Sequence, residues 1–296
     1  MNFGRVLTAM VTPFNEKNAI DYDKTEQLIN HLLQNGTDAL VVAGTTGESP
    51  TLSKEEKLSL LQFTVKTVNG RVPVIAGTGS NNTQESMEMT KKAETIGVDA
   101  VMLVAPYYNK PSQEGLYLHF KTIAASTSLP VMLYNIPGRS SVAINPETII
   151  KLAQIENIVA VKEASGDLDG MTRIIHETDS NFSLYSGDDT LTLPAVAIGA
   201  HGIVSVSSHI VGSEMNEMIT AYTLGNVARA QELHQYLHPI MQAMFMAPSP
   251  APVKAALSMN GMDVGSLRLP LVPLNEEELQ LLRHKLLFIQ EKYYAG

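Results

Sequence analysis

An α/β protein, built as a closed (β/α)8 or TIM barrel with a C-terminal helical appendage, is the fold this sequence predicts. Three observations carry the prediction. Short β-branched apolar runs alternate with longer amphipathic segments along most of the chain. Most of the runs are continuously apolar rather than alternating, as parallel strands covered on both faces are. The connections stay short, whereas an open doubly wound sheet of eight strands needs long crossovers at its switch point.

Eight strands are expected: Val6–Val11, Ala39–Ala43, Val72–Gly77, Ala100–Ala105, Val131–Tyr134, Ile158–Lys162, Phe182–Ser186 and Gly202–Ser205. The helices between them have recognisable starts. Ser53-Lys54-Glu55-Glu56 reads as a capping box, and Asn82-Thr83-Gln84-Glu85 repeats the logic. Asn145-Pro146-Glu147 places a capping residue before a proline at the first helical position. Asn35-Gly36, Asn69-Gly70 and Ile96-Gly97 mark helix ends. The eighth unit closes near Gly225, so residues 1–225 are expected to form the barrel and residues 226–296 a helical region. That region holds Val227–Met246, a break at Pro248, Pro250 and Pro252, a short helix to Gly261, and a last helix capped at Asn275-Glu276-Glu277-Glu278.

Composition excludes several kinds of chemistry. The 296 residues contain no Cys, so a disulfide scaffold, a thiol nucleophile and a thiolate-ligated metal or cluster are ruled out. The formal net charge of −9, with no basic block, lacks the footprint of a nucleic-acid binder. No run approaches a membrane span, and Met1 to Thr12 does not read as a signal peptide. A soluble, cytoplasmic protein is expected.

Barrels of this kind carry their chemistry at the C-terminal ends of the strands. Lys162 closes the run Ile158-Val159-Ala160-Val161 with no turn residue between. In an apolar barrel mouth, desolvation disfavours its ammonium, and a neutral amine can attack a carbonyl to form a Schiff base. The competing reading, with equal weight on spacing alone, pairs Lys162 with Glu163 at a strand end. Tyr134 ends the preceding strand, and its hydroxyl is a candidate proton shuttle if the two strands are in register. Gly44-Thr45-Thr46-Gly47 is a turn suited to a carboxylate. Arg139 follows Pro137-Gly138 in a loop and can grip a substrate carboxylate.

Other motifs fail. Gly77-Thr78-Gly79-Ser80-Asn81-Asn82 lacks the third glycine of a dinucleotide fingerprint. His234 and His238 are spaced for a metal, but Pro239 follows and no glutamate accompanies them, so a solvated helix face is expected. Asp188-Asp189 reads as helix capping rather than a cation site. No metal and no cofactor is expected.

Five segments occur together in order: Gly44-Thr45-Thr46-Gly47-Glu48, Pro106-Tyr107-Tyr108, Tyr134-Asn135-Ile136-Pro137-Gly138-Arg139, Val161-Lys162-Glu163-Ala164 and Tyr185-Ser186-Gly187-Asp188. In these the chain resembles the 4-hydroxy-tetrahydrodipicolinate (dihydrodipicolinate) synthases of the pyruvate-dependent Schiff-base aldolase superfamily, over essentially its whole length. The resemblance implies that Lys162 condenses with pyruvate and that Thr45 and Thr46 hold the pyruvate carboxylate. It implies a proton relay of Tyr134, Thr46 and Tyr108, with Tyr108 reaching in from a neighbouring subunit of a homotetramer, a dimer of dimers. Arg139 would bind the carboxylate of L-aspartate 4-semialdehyde, and Gly187 and Val204 would contact the intermediate through their backbone. The activity implied is a lyase of lysine and diaminopimelate biosynthesis. N-acetylneuraminate lyases and 2-keto-3-deoxy-sugar acid aldolases are the nearest rivals, and Arg139 argues against them. A non-catalytic keto-acid-binding barrel is the rival from another class.

Many such enzymes are inhibited by lysine beside a dimer interface. The matching positions are Ser49, Pro50, Lys54, Lys57, Asn81, Glu85 and Tyr107. Lys54 and Lys57 stand where inhibited members tend to carry His or another non-cationic group. A cationic ligand there meets like charges, on the order of a few kcal/mol per pair before relaxation. Weak or absent lysine inhibition is therefore expected.

Overall fold

The computed structural model describes residues 3–294. Eight parallel strands close into a barrel in sequence order, with the eighth returning to pair with the first. They are β1 (Val6–Ala9), β2 (Ala39–Val42), β3 (Val74–Gly77), β4 (Ala100–Val104), β5 (Val131–Asn135), β6 (Ile158–Glu163), β7 (Ser183–Ser186) and β8 (Gly202–Ser205). All eight expected strands are present, several one or two residues shorter or longer than the apolar runs. The ladder pairing stops before the apolar stretch does, because parallel strands lie buried on both faces.

The helices that cover the barrel follow their strands in turn. These are α1 (Tyr22–Gln34), α2 (Lys54–Val68), α3 (Thr83–Ile96), α4 (Gln113–Ala124), α5 (Pro137–Ser140), α6 (Pro146–Leu152), α7 (Leu168–Glu177), α8 (Thr192–Ala197) and α9 (Ser208–Thr223). Then come α10 (Val227–Ala243), α11 (Ala251–Met259) and α12 (Glu276–Tyr294). Among the described residues no helix is long and apolar enough to cross a membrane. Ser53 and Glu56 form both halves of the expected capping box, and Asn275 and Glu278 form another at the start of α12. Asn82 caps α3, but Asn145 makes no side-chain cap bond at α6. Proline at the first helical position leaves one donor fewer to satisfy there.

Strand residues alternate between two apolar clusters. Leu7, Val41, Ile75, Met102, Met132, Tyr134, Ala160, Tyr185 and Val204 fill the barrel interior. Val6, Leu40, Val74, Leu103, Leu133, Val161, Leu184 and Ile203 pack outward, in the larger cluster that includes the helices. Buried polar groups brace the closing strands. His209 Nε2 accepts the Val11 N–H at 3.2 Å, which leaves Nδ1 to donate to the Val206 carbonyl at 2.8 Å. Burial pushes this imidazole down to about 4, so it stays neutral as that bonding pattern requires.

Asp188 caps the single helical turn Asp189–Leu191 by accepting from Thr190 N, as expected. Asp189 does not. Its buried carboxylate crosses to the β8–α9 turn and accepts from Val206 N, Ser207 N and Ser207 Oγ at 3.2, 2.8 and 2.7 Å. Burial raises this carboxyl, and the three donors oppose that. His234 and His238 also depart from a solvated face. Both are half-buried, with ring centroids 5.9 Å apart.

Candidate active site

The site begins with strand parity. Lys162 follows Ala160 in β6 and shares its inward direction, whereas Glu163 follows Val161 outward. Adjacent residues of a strand face opposite sides, so the two cannot pair. Glu163 instead accepts from Asn135 Nδ2 and Ser165 N, each at 2.8 Å. Burial raises this carboxyl, and the Asn135 and Ser165 donors pull it back. Lys162 is 5% exposed and makes no ion pair among the described residues. The reading of Lys162 as a strand-end partner of Glu163 is thereby excluded.

Tyr134 lies directly opposite Lys162 in the β5–β6 ladder. The register makes this so. Val131 pairs with Ile158, but Met132 pairs with Ala160, and the pairing passes over Val159. Without that one-residue shift Tyr134 would face Val161, whose side chain points outward. With it, two inward residues meet. The Lys162 ammonium sits over the Tyr134 ring face, 4.3 Å from the centroid. Gly187, at the end of β7, packs beside the lysine stem. A Cβ there would come within 3.0 Å of Lys162 Cε and 2.7 Å of Ala164 Cβ, so only glycine fits without displacement.

The turn after β2 is the segment expected to receive a carboxylate. Glu48 N donates to Thr45 O and Ser49 N to Gly44 O, which closes the turn on itself. Thr45 lines the cleft above the barrel and Thr46 is buried at 4% exposure. Glu48 adopts the left-handed conformation at φ 56°, which costs a non-glycine residue on the order of 1–3 kcal/mol. Its side chain is held in a buried ion pair with Lys254, 2.6 Å away.

Arg139 sits in α5, one turn of helix where a plain loop was expected. Pro137 presets the first helical residue, and Ser140 Oγ bonds the Ile136 and Val142 carbonyls. The ends of this segment are tied by one side chain. Asn135 Oδ1 accepts from Ile144 N and its Nδ2 donates to Ile144 O, at 2.9 and 3.2 Å. Arg139 itself is exposed and lines the cleft.

The cleft has a volume of about 540 Å³ and runs between Tyr134, Thr45 and Arg139 at one end and Lys54, Lys57 and Glu85 at the other. Ser49, Pro50 and Tyr107 line it as well, so six of the seven positions matched to a regulatory site share this cavity. The seventh, Asn81, donates to the Tyr107 carbonyl at 3.1 Å. Lys54 pairs with Glu85 at 3.2 Å. Burial holds Lys57 below the usual lysine range, while Glu85 opposes that shift and Lys54 adds to it. Val204 belongs to the interior cluster that also holds Tyr134 and Tyr185. Tyr108 does not join the site of its own chain: it is 88% exposed, with φ 75°.

Sequence reasoning missed Asn135, Lys254 and Arg268, which hold the site's loops. A lone lysine within Ala251-Pro252-Val253-Lys254-Ala255-Ala256-Leu257 is a readable sign of a buried charge. Asn135 and Arg268 carry no such sign.

A model of the dihydrodipicolinate synthetase family matches residues 2–288. The chain is 66% identical to a 4-hydroxy-tetrahydrodipicolinate synthase of Bacillus velezensis over 278 residues, 94% of this chain and 96% of that one. It superposes on a crystal structure of dihydrodipicolinate synthase from Bacillus anthracis with a TM-score of 0.96 at 61% identity, covering 97% and 98% of the two chains. A chloride-inhibited dihydrodipicolinate synthase of Acinetobacter baumannii, complexed with pyruvate, gives a TM-score of 0.95 at 38% identity over 98% and 99%.

Proposed function

The chain belongs to the dihydrodipicolinate synthetase family, and on that premise we propose that it condenses pyruvate with L-aspartate 4-semialdehyde to 4-hydroxy-tetrahydrodipicolinate, with Lys162 as the nucleophile. This places it in lysine and diaminopimelate biosynthesis, as a lyase acting on small soluble metabolites in the cytoplasm. One observation carries the assignment of Lys162: a buried, inward-facing amine without a carboxylate partner lies opposite Tyr134 at the C-terminal end of the strands.

The cycle needs no oxidant or reductant. The Lys162 amine attacks the keto carbon of pyruvate, and water leaves to give the imine. A methyl proton is lost and the enamine carbon attacks the aldehyde. The amine of the semialdehyde then closes the ring on the imine carbon and expels Lys162. Thr45 and Thr46 receive the pyruvate carboxylate, and Gly187 and Val204 contact the intermediate through their backbone. Arg139 meets the second carboxylate at the cleft mouth, where its guanidinium can bind in bidentate fashion. Tyr134, Thr46 and Tyr108 move the protons. Tyr108 acts on a neighbouring subunit, which its outward position supports and which calls for at least a dimer; the resemblance extends this to a homotetramer, a dimer of dimers.

Borohydride trapping tests the central step. Reduction in the presence of pyruvate will add the mass of the reduced pyruvate imine to the peptide carrying Lys162. An unmodified Lys162 peptide under turnover conditions would sink the Schiff-base mechanism.

The far end of the cleft leads to a second expected result. Glu85, the acidic group available to a ligand ammonium there, is already paired with Lys54, and Lys57 adds another cation. Submillimolar lysine will leave the steady-state rate unchanged. Strong inhibition in that range would show that the two ammonium groups move aside.

A further inference from the structure

The turn assigned to the pyruvate carboxylate is held from behind by the C-terminal helical region. Glu48 ends that turn, and its side chain is wholly buried. Oε1 lies 2.6 Å from Lys254 Nζ in α11, and Oε2 accepts the Arg268 N–H at 3.0 Å. Lys254 Nζ also donates to the Ser266 carbonyl at 2.8 Å. Lys254 and Arg268 both sit 4.4 Å from the centroid of the Phe14 ring, in the loop after β1. The Arg268 guanidinium reaches on to the carbonyls of Asn18 and Thr51 and to the Glu56 carboxylate. Backbone contact completes the joint. Phe14 N donates to Val264 O at 3.0 Å, and a Cβ on Gly265 would lie 1.8 Å from Phe14 O, so only glycine permits that approach.

None of this serves the turn's own hydrogen bonds, which run between backbone groups and from the Thr12 and Thr51 hydroxyls to the Gly47 and Glu48 carbonyls, without the Glu48 carboxylate. Nor does the conformation ask for glutamate, since glycine or asparagine takes a positive φ more readily. A buried ion pair is also a weak source of stability compared with apolar packing of the same volume. What it provides here is a fixed location, set by partners on three separate stretches of chain.

We propose that the Glu48–Lys254 pair is a positioning device for substrate binding: through it the C-terminal region fixes Thr45 and Thr46 where the pyruvate carboxylate docks. Glu48 and Lys254 are thus positioning residues, and the appendage is a working part of the site. The inference rests on the reading of Thr45 and Thr46 as the carboxylate-binding groups. The carboxylate is held in every step of the cycle, so a loosened turn weakens binding uniformly. That raises KM and leaves kcat nearly unchanged.

Steady-state kinetics on Glu48→Gln, Lys254→Arg and the double variant Glu48→Gln/Lys254→Met decide it. In the double variant the KM for pyruvate will rise about tenfold, within the range a small misplacement of a binding group produces. The kcat and the KM for the semialdehyde will stay within about twofold. Glu48→Gln keeps one acceptor oxygen but turns its amide N–H₂ toward one of two donors, Lys254 Nζ or Arg268 N, and will raise the pyruvate KM in the same way, whereas Lys254→Arg keeps the cation and will give a smaller rise. A lowered melting temperature with an unchanged pyruvate KM in Glu48→Gln and the double variant would overturn the proposal and leave the pair a purely structural one. Should the double variant fail to fold, an unchanged pyruvate KM in Glu48→Gln overturns it alone. Borohydride trapping of the wild type separates the two levels. An adduct at Lys162 together with unaltered variant kinetics defeats only this inference, whereas no adduct defeats the reading beneath it.

Discussion

Replacing Lys162 by alanine will lower kcat/KM by roughly 10⁴- to 10⁶-fold, the scale on which removal of a covalent nucleophile acts. The fold will survive the change. Lys162 makes no ion pair among the described residues, so its loss leaves no buried charge unpaired, and the desolvation of the amine is relieved. The melting temperature is therefore expected to match or exceed that of the wild type. Lys162→Arg separates nucleophile from charge. A guanidinium keeps the positive charge beside the Tyr134 ring but stays protonated and forms no imine. It will be as inactive as alanine and will show no borohydride adduct. A rate within tenfold of wild type in either variant would mean that the lysine acts by charge, or not at all.

The barrel was legible because most strands are continuous apolar runs and several helices announce their starts. Ser53-Lys54-Glu55-Glu56 is a capping box in sequence and in structure, since both partners lie within four residues. Lys162 was legible for the same local reason: a charge that ends an apolar run without a turn. Period-two alternation further separates it from Glu163, which sequence spacing alone had left as an equal alternative. The meeting of Lys162 with Tyr134 was not legible. It depends on the pairing passing over Val159, and nothing in Ile158–Lys162 marks that shift. The Glu48–Lys254 pair was hidden for another reason. Its members lie at opposite ends of the chain, and periodicity reports which face is apolar, never which distant residue it meets. The role proposed for Tyr108 would be played on a neighbouring subunit, and its own chain leaves the residue exposed.

Tyr134 carries the second large effect, and its neighbourhood makes the test clean. Phenylalanine retains the ring that the Lys162 ammonium covers and removes only the hydroxyl. That hydroxyl makes no hydrogen bond among the described residues, so its loss orphans no partner, and the residue is buried at 3% exposure in the interior layer of the barrel. Stability will therefore change little, whereas a general acid–base group is worth roughly 10²- to 10⁴-fold in rate. Tyr134→Phe is expected to lose kcat by about that factor while the pyruvate adduct still forms at Lys162, only more slowly, because the nucleophile and the carboxylate turn are untouched. The two variants thus divide the chemistry: Lys162 changes whether the imine exists, and Tyr134 changes how fast protons reach and leave it. If Tyr134→Phe retained kcat within about threefold, the ring alone would be the contribution of this residue. Proton transfer would then fall to Thr46 and to a Tyr108 supplied from outside the chain.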